Sequence, residues 1–541
     1  MPAPSAAGAP AVPPDDGLSS DNADEITHDE KQLRNILIAM CTALIAVIAS
    51  VSGLNVAQQD LAVDLSASQS EILWIINAYT VALAALLMPI GAIGDRWGRK
   101  PVLMAGLVVF GLASLGAGLA TTTAIMIVAR IVAGVGAAMI MPVTLSVITS
   151  SFPPEARTRA IGIWAGFAGA GGIIGLFVSA FMVDVVSWRW LFALPVGLVV
   201  LAGAMSWRTV PNSREHSEHP FDTVGSILSA VAIGGLVLGI HEGPERGWAD
   251  VLTLTGIVVG VIAAVAFVLW ELRRRDPLLD VTTFRNRGLA SGSLTLLIVF
   301  AVMFGIFLVL FPYFQAVIGW SALRSAVALL PMAFVMMPMS AVAPIVAERI
   351  GSRTTMLSGV AIFATGLATL ALRASVGGGY MSVLPGLVVI GLGMGLTMTP
   401  ATAAITETLP ADKQGVASAL NDTSREVGGA LGVALLGSVL SAGYESAIEP
   451  DLAGLPEELA EPAREGIGGA LAAAAQAGDQ GPQLVSAAQH AFVDGWVQSM
   501  WIGVALAGVT FAYLLFFGPR KGSETGDVPT ADAELELALE G

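Results

Sequence analysis

The chain has 541 residues, 55% hydrophobic and only 13% charged, with a mean hydropathy of +0.75. Soluble proteins carry about 25% charged residues, so a soluble globular fold is excluded and an integral membrane protein is implied. The net charge of −16 belongs to three segments, 1–30, 443–496 and 520–541, which hold 22 of the 42 acids, and there is no basic nucleic-acid footprint.

Residues 1–34 are acidic and rich in Pro and Ala, without a basic region ahead of an apolar core. They read as a disordered cytoplasmic tail rather than a cleaved signal peptide. Fourteen apolar segments follow, at about 35–57, 72–93, 102–121, 124–147, 160–183, 189–207, 224–241, 252–271, 290–314, 325–346, 355–374, 380–404, 419–442 and 496–518. The expected fold class is all-α integral membrane with fourteen transmembrane helices. The single cysteine, Cys41, lies in the first segment, so no intrachain disulfide forms. An even number of spans places both termini on one side. Of 26 Lys and Arg, 19 fall on that side, five on the other and two, Arg130 and Arg425, within spans. The positive-inside rule therefore predicts cytoplasmic termini.

Between the second and third segments stands Gly94-Asp95-Arg96-Trp97-Gly98-Arg99-Lys100. It reads as a tight turn in which Gly94 and Gly98 allow the backbone to reverse. Arg96, Arg99 and Lys100 hold it on the cytoplasmic side, and Asp95 can pair with an arginine in the turn or on a neighbouring helix end. By itself it is equally a plain basic turn. A weaker echo, Ala347 to Arg353, occupies the same kind of position later.

Arg130 sits within the fourth segment, where a charge costs about 2.5–3.5 kcal/mol. Two readings are open: a structural arginine paired to a carboxylate or to backbone carbonyls, and a proton-relay partner. Further on, pairs of residues recur at a near-constant spacing. Pro153 and Pro410 are 257 apart, as are Gly171-Gly172 and Gly428-Gly429, and Gly134 and Gly136 match Gly391 and Gly393. The spacing predicts two parallel six-helix halves, 35–207 and 290–518, with two helices inserted between them in 208–289.

The second half is rich in Met and Phe. Phe307, Phe311, Met336 and Met394 either pack or line a central cavity whose flexible and aromatic walls suit varied apolar or cationic molecules. Near the start of the thirteenth segment, Asp422, Arg425 and Glu426 form either an interfacial salt-bridge cluster or a carboxylate site that gains and loses a proton. Residues 443–495 form a long extracellular loop, which is either a lid built on a helix over 455–475 or a flexible spacer. An acidic tail, 519–541, closes the chain.

These stretches resemble the major facilitator superfamily, and within it the fourteen-helix drug:proton antiporters. The likeness covers nearly all of 35–518. It rests on Gly94–Lys100; on Arg130 with Gly134, Gly136 and Pro142; on Trp74 and Tyr79; on Trp188-Arg189-Trp190-Leu191-Phe192; and on Gly415 to Asn421 continuing through Arg425, Gly428, Gly429 and Gly432. Departures are also plain. Leu176 replaces the proline of the helix-5 antiporter motif, and Ser179-Ala180 replaces its glycine pair. Many relatives carry an acid where this chain has Ser50, and some carry an aspartate where it has Asn77. With Asn55, Asn77 joins the cavity candidates.

The resemblance implies a proton-driven exporter of amphipathic or cationic drugs, acting as a monomer in the lipid bilayer. Asp422, Glu426, Arg425 and Arg130 are the proton-coupling candidates, and no cofactor or metal is implied. A narrow exporter or a proton symporter is the alternative. A membrane enzyme or receptor is the reading of another class. It meets no His-Glu-x-x-His, Gly-x-Ser-x-Gly or phosphate-binding Gly-x-x-x-x-Gly-Lys stretch.

Overall fold

The structure is a computed structural model that describes residues 30–213 and 221–519. The two acidic tails, apart from 30–34 and 519, and His28, His216 and His219 fall outside those residues.

Among the described residues every regular element is helical: α1 (Glu30–Val56), α2 (Gln58–Asp64), α3 (Gln69–Trp97), α4 (Arg99–Gly118), α5 (Thr123–Ser151), α6 (Pro154–Val185), α7 (Ala193–Thr209), α8 (Thr223–Arg246), α9 (Val251–Glu271), α10 (Arg287–Pro312), α11 (Ala322–Ile350), α12 (Ser352–Arg373), α13 (Gly379–Thr406), α14 (Gln414–Ile448), α15 (Glu457–Glu465), α16 (Ile467–Ala474) and α17 (Gly481–Phe517). Short 3-10 turns and one π turn complete the set. Fourteen helices are long and apolar enough to cross a membrane, all but α2, α15 and α16. A helix satisfies its own backbone, and hydrocarbon offers no other partner. Polar caps set the starts. Ser68 and Glu71 form a capping box on α3, Thr122 caps α5, and Asn286 caps α10.

The spacing of the repeat is visible as equivalent packing. In the first half α4 packs on α5, α3 on α5, and α1 on α6 and α7; in the second, α12 packs on α13, α11 on α13, and α10 on α14 and α17. The repeated glycines sit at matching contacts. A Cβ on Gly136 would come within 2.7 Å of the Phe110 nitrogen of α4, and one on Gly393 within 2.4 Å of the Phe363 nitrogen of α12. The halves meet where α3 packs on α14 and α6 on α11. Inserted helix α8 lies along that first seam, touching α3 and α14, with α9 outside it.

Three expectations change. The turn between α3 and α4 is one residue long. Gly94 is helical and buried, and the reversal falls on Gly98 alone, at φ +110°. Gly351, at φ +87°, does the same between α11 and α12. Both φ values favour glycine. The thirteenth span starts earlier and ends later than hydropathy indicates, so only 449–480 connect α14 to α17. Hydropathy detects the part inside the bilayer, and both helices continue past it. Within the connection, Gly466 separates α15 from α16 where a single helix was expected. The pair is docked on the end of the bundle. Ala460, Ala463, Ile467 and Ala470 are buried, and the Tyr444 hydroxyl donates to the Ala463 carbonyl at 2.9 Å.

Below, "basic end" denotes the end carrying Arg99 and Lys100. At the opposite end Asp64 accepts from Trp188 Nε1 at 2.8 Å and from Arg189 Nη1 at 2.9 Å. The Trp188 bond, then the Arg189 bond, hold this carboxyl below its usual range. A lowered pKa stabilises above the ordinary value of about 4, and the contribution is lost as pH falls through the folded value. Trp188→Phe is expected to flatten the acid limb of the stability profile, read as thermal unfolding between about pH 3 and about pH 6.

Candidate functional site

The first part of the site is a latch at the basic end. Asp95, on the last turn of α3, accepts from the Gly415 amide at 2.8 and 2.7 Å and from the Val416 amide at 3.2 Å. These are unpaired donors at the start of α14, where the helix dipole favours a negative charge. Arg99 binds the same carboxylate at 2.9 Å and donates to the Ala411 carbonyl at 3.4 Å. Of the two positions expected for the arginine that pairs with Asp95, the one in its own turn is occupied, by Arg99; the neighbouring helix end contributes backbone amides instead. Lys100 donates to the Trp207 carbonyl at 2.8 Å, and the Arg99 amide to the Ser213 carbonyl at 3.0 Å. Arg96 is half-buried on the same turn.

Glu348, the counterpart of Asp95, is exposed and makes no ion pair or hydrogen bond among the described residues. Among the described residues the latch therefore occurs once. It holds the halves in close contact. A Cβ on Gly91 would fall 2.5 Å from the Gly415 carbonyl oxygen, and one on Gly162 of α6 2.6 Å from that of Ser340 on α11. Gly91→Leu is expected to wedge the basic end apart. Labelling of a cysteine placed at Val416, buried beneath the latch, should rise about tenfold or more, since a few kcal/mol of overpacking shifts such an equilibrium that far.

The second part lies deeper in α14. Asp422 is fully buried. Its Oδ1 accepts from Asn421 Nδ2 at 3.1 Å and from Arg425 Nη1 at 3.4 Å, while Oδ2 has no hydrogen-bond partner. Asn421 Oδ1 in turn accepts from the Thr402 hydroxyl of α13 at 3.0 Å. The Arg425 guanidinium lies 4.5 Å from the Phe300 ring of α10 and 5.6 Å from the Trp164 ring of α6 in the other half, and its Nε is unpaired. Glu426 does not join this pair. It is half-buried, forms no hydrogen bond or ion pair among the described residues, and stands within electrostatic range of Arg425 and Asp422 as well as of Tyr79 on α3. The cluster starts about two turns inside the helix that begins at Gln414, deeper than an interfacial salt bridge.

Among the described residues Arg130 has no carboxylate partner. It donates through Nε to the Ile75 carbonyl at 3.1 Å and through Nη1 to the Ser50 hydroxyl at 3.0 Å, and it stacks on Tyr79 at 4.2 Å. The serine that stands where many relatives carry an acid is therefore in contact with this arginine. A buried charge held only by neutral groups needs electrostatic support from its surroundings.

The cavity candidates are scattered. Asn77 is buried on α3, Met394 on α13, and Met336 on α11, where it meets Gly169 across the halves. Phe307 and Phe311 are half-buried along α10. Asn55 lies on α1, and its side chain is outside the described residues. Sequence reasoning missed Trp164 and Phe300 as the aromatic walls around Arg425. Both sit in uniformly apolar runs, which carry no signal of a polar neighbour.

The sequence model of the Major Facilitator Superfamily matches residues 38–433. The chain belongs to that superfamily. Among superfamily relatives it is 32% identical over 493 residues to the tetracenomycin C resistance and export protein of Streptomyces glaucescens, spanning 89% of this chain and 90% of that one. It is 31% identical over 419 residues to multidrug resistance protein Stp of Mycobacterium tuberculosis, spanning 77% of each. The multidrug efflux pump LfrA of Mycolicibacterium smegmatis is 32% identical, over 80% of this chain and 86% of its own. The fold is shared with the proton:xylose symporter XylE (TM-score 0.55, 14% identity, 91% of this chain and 97% of that one). It is also shared with an inward-facing bacterial homologue of the lysosomal transporter Spinster (TM-score 0.57, 16% identity, 91% and 98%).

Proposed function

We propose that this chain is a proton-coupled exporter of amphipathic, drug-like molecules, antibiotics among them, across the cytoplasmic membrane, with its basic end in the cytoplasm. Three relatives of this chain are named for drug resistance, drug efflux or antibiotic export. The observation that carries the mechanism is Asp422: a buried carboxylate with one unpaired oxygen, held by an arginine that also touches the other half.

Burial favours the neutral acid, and Arg425 favours the carboxylate. Any movement of α6 against α14 alters the surroundings of Arg425, and with them the balance at Asp422. A proton arriving from outside neutralises Asp422 and frees Arg425, which favours release of drug outward. Reopening of the basic end lets the proton leave and a new molecule bind. Only the difference in affinity between the two openings couples these steps. The latch at Asp95 holds the basic end closed in the state described here. The gradient drives the cycle, and neither cofactor nor metal has a role in it. The carrier works as a monomer.

A second reading, export of one antibiotic, is favoured by the relative that spans most of this chain and is named for tetracenomycin C. A panel of cationic dyes and neutral antibiotics, tested for drug-driven proton movement in everted vesicles, separates the two. Several active compounds support multidrug export, and one supports the narrow reading. Absence of proton movement with every compound, in vesicles that hold the folded protein, sinks both.

A further inference from the structure

Apart from the latch and the Asp422 cluster, one cavity of about 730 Å³ has no assigned role. It lies between α8, α9 and the 272–286 linker, backed by Met88 of α3 and by Leu420 and Thr423 of α14. Its size falls in the range of small-molecule sites, about 300–1,000 Å³. We propose that it seats the acyl chain of an anionic phospholipid of the cytoplasmic leaflet, with the headgroup phosphate on Arg285. The leaflet rests on the orientation proposed above; the seat itself does not.

Position is the first argument. The floor is buried, at Ser229, Ala232 and Leu279, whereas Val268, Leu272 and Phe284 at the rim are exposed on the outside of the bundle. In a bilayer that rim meets lipid, at the depth of the basic end.

Chemistry is the second. The lining is almost wholly apolar, and its one charged side chain is Arg285. No carboxylate lines it, so a cationic amphipath finds no counter-charge there. Arg285 is exposed, with no hydrogen bond or ion pair among the described residues. Arg273 and Arg275 lie on the same short linker and Arg287 opens α10, against Asp276 and Asp280. Arginines at the membrane surface attract anionic headgroups, and a guanidinium matches phosphate geometry.

An orphaned polar atom is the third. The Thr423 hydroxyl belongs to the lining and has no hydrogen-bond partner. A lipid ester carbonyl would accept the bond that it lacks. Because α3 and α14 belong to different halves, a chain in this cavity touches the seam from outside without entering the space between the halves.

The test uses the full chain in nanodiscs that contain phosphatidylglycerol and phosphatidylcholine, with bound lipid read by native mass spectrometry. The parent is expected to retain one phosphatidylglycerol, with a preference over phosphatidylcholine of about fivefold. Arg285→Gln should lose the preference, Ala232→Phe should lose both lipids, and Arg208→Gln, away from the cavity, should behave as the parent. If Ala232→Phe fails to fold, Arg285→Gln decides alone, since its side chain is at the surface. Retention of the preference by Arg285→Gln, or none in the parent, overturns the proposal. Displacement of the lipid by a cationic dye also overturns it and assigns the cavity to the transported molecule. Lipid retention needs no transport, so its failure and failure of the export reading are separate results.

Discussion

Replacing Asp95 with asparagine is expected to open the basic end and to cut export about tenfold or more. Two effects act in the same direction. The charge at the start of α14 is lost, and such charges contribute about 0.3–1 kcal/mol, up to about 2 when partly buried. Arg99, almost completely buried, is also left without its counter-charge. Breaking a buried pair costs about 3–5 kcal/mol, and about 1.4 kcal/mol is tenfold in an equilibrium. Labelling of a cysteine at the buried Val416 from the basic end should therefore accelerate by about a hundredfold. Asp95→Asn with Arg99→Gln removes the orphaned charge and should recover part of the loss. Glu348→Gln should leave export within about twofold, because that acid is exposed and pairs with none of the described residues. If labelling of Asp95→Asn matches the parent, the latch does not hold the ends together.

Asp422→Asn is expected to abolish drug-driven proton movement while the protein still folds. Asparagine keeps an oxygen for Asn421 and for Arg425, so packing changes little, but no site remains to take the proton. Removal of a coupling carboxylate should lower coupled flux by about a hundredfold or more, the size of effect seen when a group made for proton transfer is lost. Glu426→Gln should reduce it far less, since Arg425 hydrogen-bonds Asp422 directly and reaches Glu426 only through longer-range electrostatics. Arg425→Ala should be the most damaging to stability, because it leaves a buried carboxylate uncompensated, at about 3–5 kcal/mol. Expression and monodispersity of each variant separate lost coupling from lost fold. Full proton movement in Asp422→Asn, together with its loss in Glu426→Gln, would move the coupling site to Glu426.

The two predictions rest on different amounts of sequence information. That Asp95 pairs with an arginine could be read from its turn, because glycines and opposite charges are close in sequence. Which helix end it meets could not be read, since Gly415 is 320 positions away. Arg130 and Arg425 stood out because charges inside apolar runs are rare and expensive. Their partners did not. Ser50, Trp164 and Phe300 are ordinary residues in their own helices, and only packing makes them a site. The split between Asp422 and Glu426 was hidden for a related reason. Residues four apart share a helix face, yet only Asp422 comes within hydrogen-bond reach of Arg425.

The sequence by itself determined the class of the protein, its fourteen crossings and its twofold repeat. A bilayer leaves the backbone no choice but long apolar helices, and glycines that let helices touch must recur where the packing recurs. Tertiary structure decided how the halves are locked and where the inserted pair lies. It also decided that Ser50 answers Arg130 and that a cavity with a free arginine opens beside the seam. These helices are apolar on nearly every side, so hydrophobic periodicity does not mark which face turns inward. Contacts between segments hundreds of residues apart do that instead.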